Sequence, residues 1–149
     1  MLFRSQRLAR VLARLMPDEP EAHGLLALLE LTAARFPART APDGEPVLLE
    51  QQDRHRWDQA AIRRGRAALA RAVQAGRGLG AYGLQAAIAE CHAVAPSVGA
   101  TNWEEIAAFR QAWEAELDQF GRVDGYAGTQ RRLAAPPLPN ARLKPRSRG

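Results

Sequence analysis

Cys91 and His92 stand side by side, the residue types of a thiol nucleophile and its base, and they are the first place in this chain to look for chemistry. Neighbours on a helix point about 100 degrees apart, so a thiol and an imidazole at adjacent positions do not face each other. Cys91 also falls on the apolar stripe of a helical segment, which reads as a buried structural thiol rather than a catalytic one. His23 and His55 are scattered, with no carboxylate partner fixed by local spacing, and no Cys/His set has the spacing of a zinc site. Gly76, Gly78, Gly80 and Gly83 have neither the lysine nor the preceding strand of a phosphate loop, so they read as helix-ending glycines. The acidic pairs Glu104 with Glu105 and Glu114 with Glu116 sit where helix caps and solvated faces put them. The expectation is a protein that is not an enzyme and uses neither metal nor cofactor.

The segment QQDRHRWD at residues 51–58 offers a different chemistry, that of recognition. Read structurally, it is a helix start: Asp53 caps, Trp57 packs on a neighbouring hairpin, and Arg54 and Arg56 pair with nearby acids. Read functionally, Asp53, Arg54, Arg56 and Trp57 form a protein-contact surface, since Trp and Arg anchor interfaces more than other residues do. The two readings are compatible. A second candidate is the basic set Arg131, Arg132, Arg142, Lys144, Arg146 and Arg148, which could attract nucleic acid or an acidic partner by charge alone. Only Tyr126 accompanies it as an aromatic, so there is no stacking platform and the contact would be nonspecific.

These residues must be positioned by helices. Apolar residues recur at helical spacing throughout and nowhere alternate long enough for a strand, which predicts an all-α fold. The first helix presents Leu8, Val11, Leu12 and Leu15 on one side, with Arg7, Arg10 and Arg14 opposite, and ends before Pro17. Asp18, Glu19 and Pro20 open a second helix over residues 20–36, which should pack antiparallel on the first and touch neighbours on two sides through Ala22, Leu25, Leu26, Leu29, Ala33 and Phe36. A strapped-down loop with the turn Pro42-Asp43-Gly44 follows. The third helix starts near Asp53 and runs to about residue 75 with the stripe Ala61, Ile62, Gly65, Leu69, Ala72 and Val73, and the glycines at 76, 78 and 80 end it. A fourth covers residues 82–95, with Leu84, Ala87, Ile88, Cys91 and Ala95 on one face. The fifth starts at Thr101, capped by its hydroxyl with Glu104 reaching back, and shows Ile106, Phe109, Trp113, Leu117 and Phe120. Antiparallel hairpins of this kind can stack as a tetratricopeptide-like solenoid fragment or close into a small helix bundle.

Length and charge set the outer bounds. The 149 residues allow one domain. The chain is 46% hydrophobic and 25% charged, ordinary for a globular protein. The net charge of +5 conceals an asymmetry: residues 1–120 carry 14 basic and 15 acidic side chains, whereas residues 121–149 carry 7 and 1. A near-neutral helical domain over 1–120 is therefore expected to precede a disordered basic tail over 121–149, rich in Gly, Pro and Arg and poor in apolar surface. No run approaches the roughly 20 apolar residues that cross a bilayer, and arginines interrupt the N-terminal stretch where a signal peptide would be apolar. The single cysteine can form no internal disulfide. A cytoplasmic protein without membrane contact is expected.

Three segments in order, DGEPVLLEQQDRHRWD at 43–58, AYGLQAAIAECHA at 81–93 and TNWEEIAA at 101–108, preceded by LARVLARLMPDEPEAHGLLALLEL at 8–31, carry a resemblance. Together they resemble the C-terminal helical extension of a group of bacterial ECF-type RNA polymerase sigma factors. In that family two N-terminal regions bind core polymerase and open and read the promoter, and the helical part with tetratricopeptide-like repeats regulates them in place of an anti-sigma factor. The resemblance starts inside the helical part, so it implies a domain without the polymerase-binding and promoter-binding regions. After residue 108 the sequence departs from the family, reading FRQAWEAELDQFGRVDG before the basic tail. What it implies is a non-catalytic transcription regulatory module that contacts RNA polymerase or a sigma factor and reads no DNA sequence alone. The other reading is a helical scaffold or gene remnant without a transcriptional role, open to self-association through Trp113, Leu117 and Phe120.

Overall fold

The computed structural model describes residues 2–123 and, among them, five α-helices and no strand. These are α1 (Leu2–Leu15), α2 (Pro20–Ala33), α3 (Gln59–Gln74), α4 (Ala81–Val94) and α5 (Trp103–Val123), with 3-10 turns at Phe36–Ala38, Leu49–Gln51 and Arg54–Arg56. The chain divides into compact units of residues 1–117 and 118–149. Of the second unit only the last turns of α5 fall within the described residues. The tail arginines and Lys144 lie outside them.

The all-helical expectation holds, and the packing is that of a small bundle. α2 is the central helix: it packs on α3, on α4 and on α1, while α3 and α4 also meet. Its start is the one its sequence dictates. Pro20 opens the helix and the Glu19 carboxylate accepts from the Glu21 backbone N–H at 3.3 Å. It ends earlier than its apolar pattern suggests, at Ala33, because a 3-10 turn takes over ahead of Pro37 and leaves Phe36 exposed.

Small residues decide how closely the helices approach. A Cβ on Gly24 of α2 would lie 2.7 Å from the backbone nitrogen of Gly83 in α4, and one on Gly65 of α3 would lie 2.6 Å from Leu31 of α2. Two clusters form the core. Leu31, Ala34, Ala38, Trp57, Ala61 and Ile62 make one, and Ala27, Ala68, Leu69, Ala86 and Ala87 the other, with Phe109 of α5 packed against the second. Val73, expected on the buried stripe of α3, is exposed.

The connection over residues 39–58 is strapped down as expected. Val47 N–H donates to the Arg39 carbonyl at 2.8 Å, Gly44 turns the chain with φ +89°, and the buried Gln52 side chain donates to the Val47 carbonyl at 3.0 Å. Two expected caps move. Asp53 caps the 3-10 turn Arg54–Arg56 by accepting from His55 N–H, and α3 begins later, capped by Asp58 on Ala61 N–H at 3.0 Å. Asp58 N–H also donates to the Ala34 carbonyl, which fixes that residue at the end of α2 and makes it the helix start. At α5 the cap is Asn102, whose Oδ1 accepts from Glu105 N–H at 3.2 Å while its Nδ2 donates to the Glu105 carboxylate. Thr101 instead donates its hydroxyl to the Ser97 carbonyl.

The rotation of α1 is the largest departure from the sequence reading. Ala9, Ala13 and Gln6 face inward, and Leu8, Val11 and Leu15 of the stripe face away with Leu12 half-buried beside them, Leu8 70% and Leu15 75% exposed. An ion pair sets this rotation. Glu30 of α2, 1% exposed, holds Arg10 of α1 on one carboxylate oxygen and Arg64 of α3 on the other at 3.0 Å. With Arg10 directed at Glu30, the leucines are carried to the far side of the helix.

Candidate protein-contact surface

The recognition segment at 51–58 folds inward. Trp57 is 3% exposed and packs in the cluster of Leu31, Ala34 and Ile62, so it is core rather than a surface anchor. Its indole Nε1 is buried without an acceptor, while the Arg54 guanidinium lies over the ring at 4.5 Å and that of Arg35 at 6.0 Å. Burial holds both guanidiniums below their ordinary value, helped for Arg35 by the nearby charges of Arg39 and Arg54. Asp53 and Arg56 are exposed and Arg54 is half-buried. The four residues are thus divided between a core anchor, a clamp and two surface groups.

Arg54 is the clamp. Its Nη1 donates to the His92 carbonyl at 2.5 Å and to the Ala95 carbonyl at 3.0 Å, placing a cation at the negative end of α4. The positive end of the same helix is held by Glu21 of α2, whose carboxylate accepts from Tyr82 N–H at 2.9 Å and Gly83 N–H at 3.0 Å. Gly80 is the cap residue there and has no side chain to offer, and a Cβ on it would collide with the Glu21 carboxylate at 2.5 Å. Gly76 and Gly78 adopt the left-handed conformation, φ +74° and +77°, and end α3. A protein carboxylate therefore occupies the helix N-terminus where a glycine-rich phosphate loop would hold its anion.

Cys91 and His92 do not form a pair. Burial, with Glu105 nearby, pushes the Cys91 thiol up to about 11, and its sulfur sits 3.8 Å from the Glu105 carboxylate. A thiol so placed stays protonated at neutral pH and is no nucleophile. The His92 ring meets Trp103 edge-on, centroids 5.5 Å apart. Burial and the charges of Arg35, Arg54 and Arg110 hold its imidazole below its ordinary value. Among the described residues, no three His, Cys, Asp or Glu side chains gather as metal ligands would, and no helix is long and apolar enough to cross a membrane.

What the surface does offer is α1. Leu8, Val11 and Leu15 recur on one side of the helix with Leu12 partly covered beside them, and Met16 follows just past its end. Scattered apolar residues on a surface are ordinary, whereas a continuous helical stripe of this kind is the form that partner-binding helices take. The stripe is legible in the sequence but its exposure is not, because the amphipathic pattern is the same whether the face is covered from within the chain or from outside it.

Residues 1–73 match a family described as a family of unknown function (DUF6596). That match covers α1, α2, the strapped loop and all but the last residue of α3. The chain is also 46% identical over 108 residues, 72% of its length, to an uncharacterized protein of Rhizobium meliloti (strain 1021). The aligned part amounts to 25% of that relative, so this chain corresponds to about a quarter of the curated protein it matches. No solved structure matches the chain.

Proposed function

We propose that this chain is a transcription-related regulatory module of the ECF sigma-factor type, which works by protein contact and carries out no reaction of its own. The observation that carries the reading is the outward leucine stripe of α1, an apolar helix face left uncovered within the stretch that matches the family. Two further points support it. The matched family is known as a C-terminal region of sigma-factor-like proteins. The relative is about four times as long as the aligned segment, which leaves room in that protein for regions that such a module would act upon.

The contact is assigned to a surface of a sigma factor or of RNA polymerase, met by Leu8, Val11 and Leu15, with the exposed Arg4, one turn before Leu8, available for acidic groups on the partner. Asp53, Arg54 and Trp57 contribute indirectly, by fixing the loop and α4 behind the helices. The test is titration of the purified chain against core polymerase and against sigma factor, followed by fluorescence anisotropy. A complex at micromolar concentration that Leu8→Ser/Leu15→Ser removes is the expected result. Absence of binding to either protein overturns the reading. A dimer seen by analytical ultracentrifugation and lost in the same variant points to self-association through the stripe instead.

A further inference from the structure

A cleft of about 520 Å³ opens between α1 and α3 above Glu30, with four arginines around it: Arg10 and Arg14 from α1, Arg64 and Arg71 from α3. Glu30 is the lone carboxylate in the lining and already holds Arg10 and Arg64. Arg14 and Arg71 are exposed and, among the described residues, have no carboxylate within salt-bridge reach. Four guanidiniums against one carboxylate leave an excess of three positive charges around the cleft. Ala13, Leu26 and Ala68 supply an apolar floor. Pockets of this volume fit small organic ligands, and a cationic rim over an apolar floor suits a molecule with an anionic head and an apolar or flat body.

We infer that this cleft binds a small phosphorylated ligand, its phosphate oxygens bridging Arg14 and Arg71 and its body lying on the Ala13, Leu26 and Ala68 floor. Guanidinium is the group that best matches phosphate geometry, donating two parallel hydrogen bonds, and here two free guanidiniums come from different helices. Arg10 and Arg64 are held in place by the buried Glu30, which presents them without a further ordering cost. A phosphate so held would join α1 to α3, helices that otherwise meet through Glu30 of α2. Occupancy of the cleft would thereby steady α1 and the leucine stripe on its other side. The inference is independent of who covers that stripe, because Arg10, Ala13 and Arg14 of α1 line the cleft and Leu8, Val11 and Leu15 do not.

Inorganic pyrophosphate is the probe, titrated into the full chain by calorimetry with hydrogen exchange on α1 as a second readout. Saturable binding is expected, with slowed exchange in α1. Arg14→Ala/Arg71→Ala should fold with an unchanged melting temperature and weaken binding by roughly tenfold for each guanidinium removed. Arg63→Ala, an exposed arginine of α3 outside the cleft lining, should leave binding as it is. Citrate at the same concentration should bind more weakly. No saturable binding overturns the inference; so does pyrophosphate affinity unaltered in the double variant, which would assign the anion to the basic tail. Citrate binding tighter than pyrophosphate overturns the phosphate assignment in favour of a carboxylate site.

Discussion

Helices α1 and α4 are both 14 residues long, yet they are held in opposite ways. α4 is fastened at its two ends by Glu21 and Arg54 and is pressed to α2 along a face of Gly83, Ala86 and Ala87. α1 rests on α2 through Ala9 and Ala13, is anchored midway by Arg10 on Glu30, and turns its leucines outward. A helix without a strong amphipathic pattern is thus fixed by charge at its ends and by backbone proximity. The strongly amphipathic one is the one left with an unused apolar face. Apolar stripes in this fold are not all reserved for its own core.

The largest way to break the contrast is to remove what anchors α1. Arg10→Ala/Arg64→Ala takes from the Glu30 carboxylate, 1% exposed, both of the cations it pairs with. Stripping a buried ion of its partners costs about 3–5 kcal/mol. Urea unfolding should show that loss, with hydrogen-exchange protection of α1 falling first. A loss under about 1 kcal/mol would mean that the carboxylate is not stranded, water or another arginine of the cleft having replaced the two removed. Glu30→Leu should be far milder, because Arg10 and Arg64 are 39% and 49% exposed and can turn to water.

Closing the gap at the α2–α4 crossing should cost less. Gly24→Ala places a methyl 2.7 Å from the Gly83 backbone nitrogen, and backbone cannot swing aside as a side chain can. Overpacking of this kind costs about 1–3 kcal/mol. The melting temperature should fall, while Gly44→Ala, in open space but at φ +89°, tests backbone strain alone at a site remote from any helix contact.

Helix limits were legible where local chemistry alone decides them. Pro17 stops α1, Glu19 and Pro20 start α2, and Gly76 and Gly78 end α3 because only glycine suits their φ values. Caps were misplaced where two polar residues compete. Asp53 and Asp58 are equally able to cap, and Thr101 and Asn102 likewise. The choice is made by tertiary contacts, the burial of Trp57 and the bond from Asp58 N–H to Ala34 in the first case. The candidate segment was legible in the same partial way. Its residue types announced Trp and Arg in contact, but whether Trp57 faces a partner or the core depends on Leu31 and Ile62, distant in sequence. The arginine cleft gives no sequence signal at all, since Arg14 and Arg71 come together only once α1 has taken its rotation.

The C-terminal end of α4 is sensitive to pH. His92 is held below its ordinary value of 6.5 by burial first and by Arg35, Arg54 and Arg110 next. The folded protein therefore keeps the imidazole neutral while the unfolded chain takes up a proton. Stability from this residue is complete above pH 6.5 and is lost as pH falls through the lower folded value. Melting temperatures should drop between pH 7 and 5, and His92→Gln should flatten that dependence. A slope unchanged in the variant would put the effect in the carboxylates.

The smallest effect expected is also the one that separates α1 from every other helix. Leu8→Ser/Leu15→Ser removes two leucines from a helix, a change that in a core would cost several kcal/mol. Here both side chains are already mostly in water, so each substitution should move stability by no more than about 0.5 kcal/mol. The matched change in α3, Leu69→Ser, removes a buried side chain and should be severe. If thermal unfolding of the α1 variant is as damaging as that of Leu69→Ser, the stripe is covered by this chain itself and is no docking face. If the α1 variant melts like the parent protein, the leucines contribute nothing to the fold. Their place on one face of a helix is then explained by what they meet outside it.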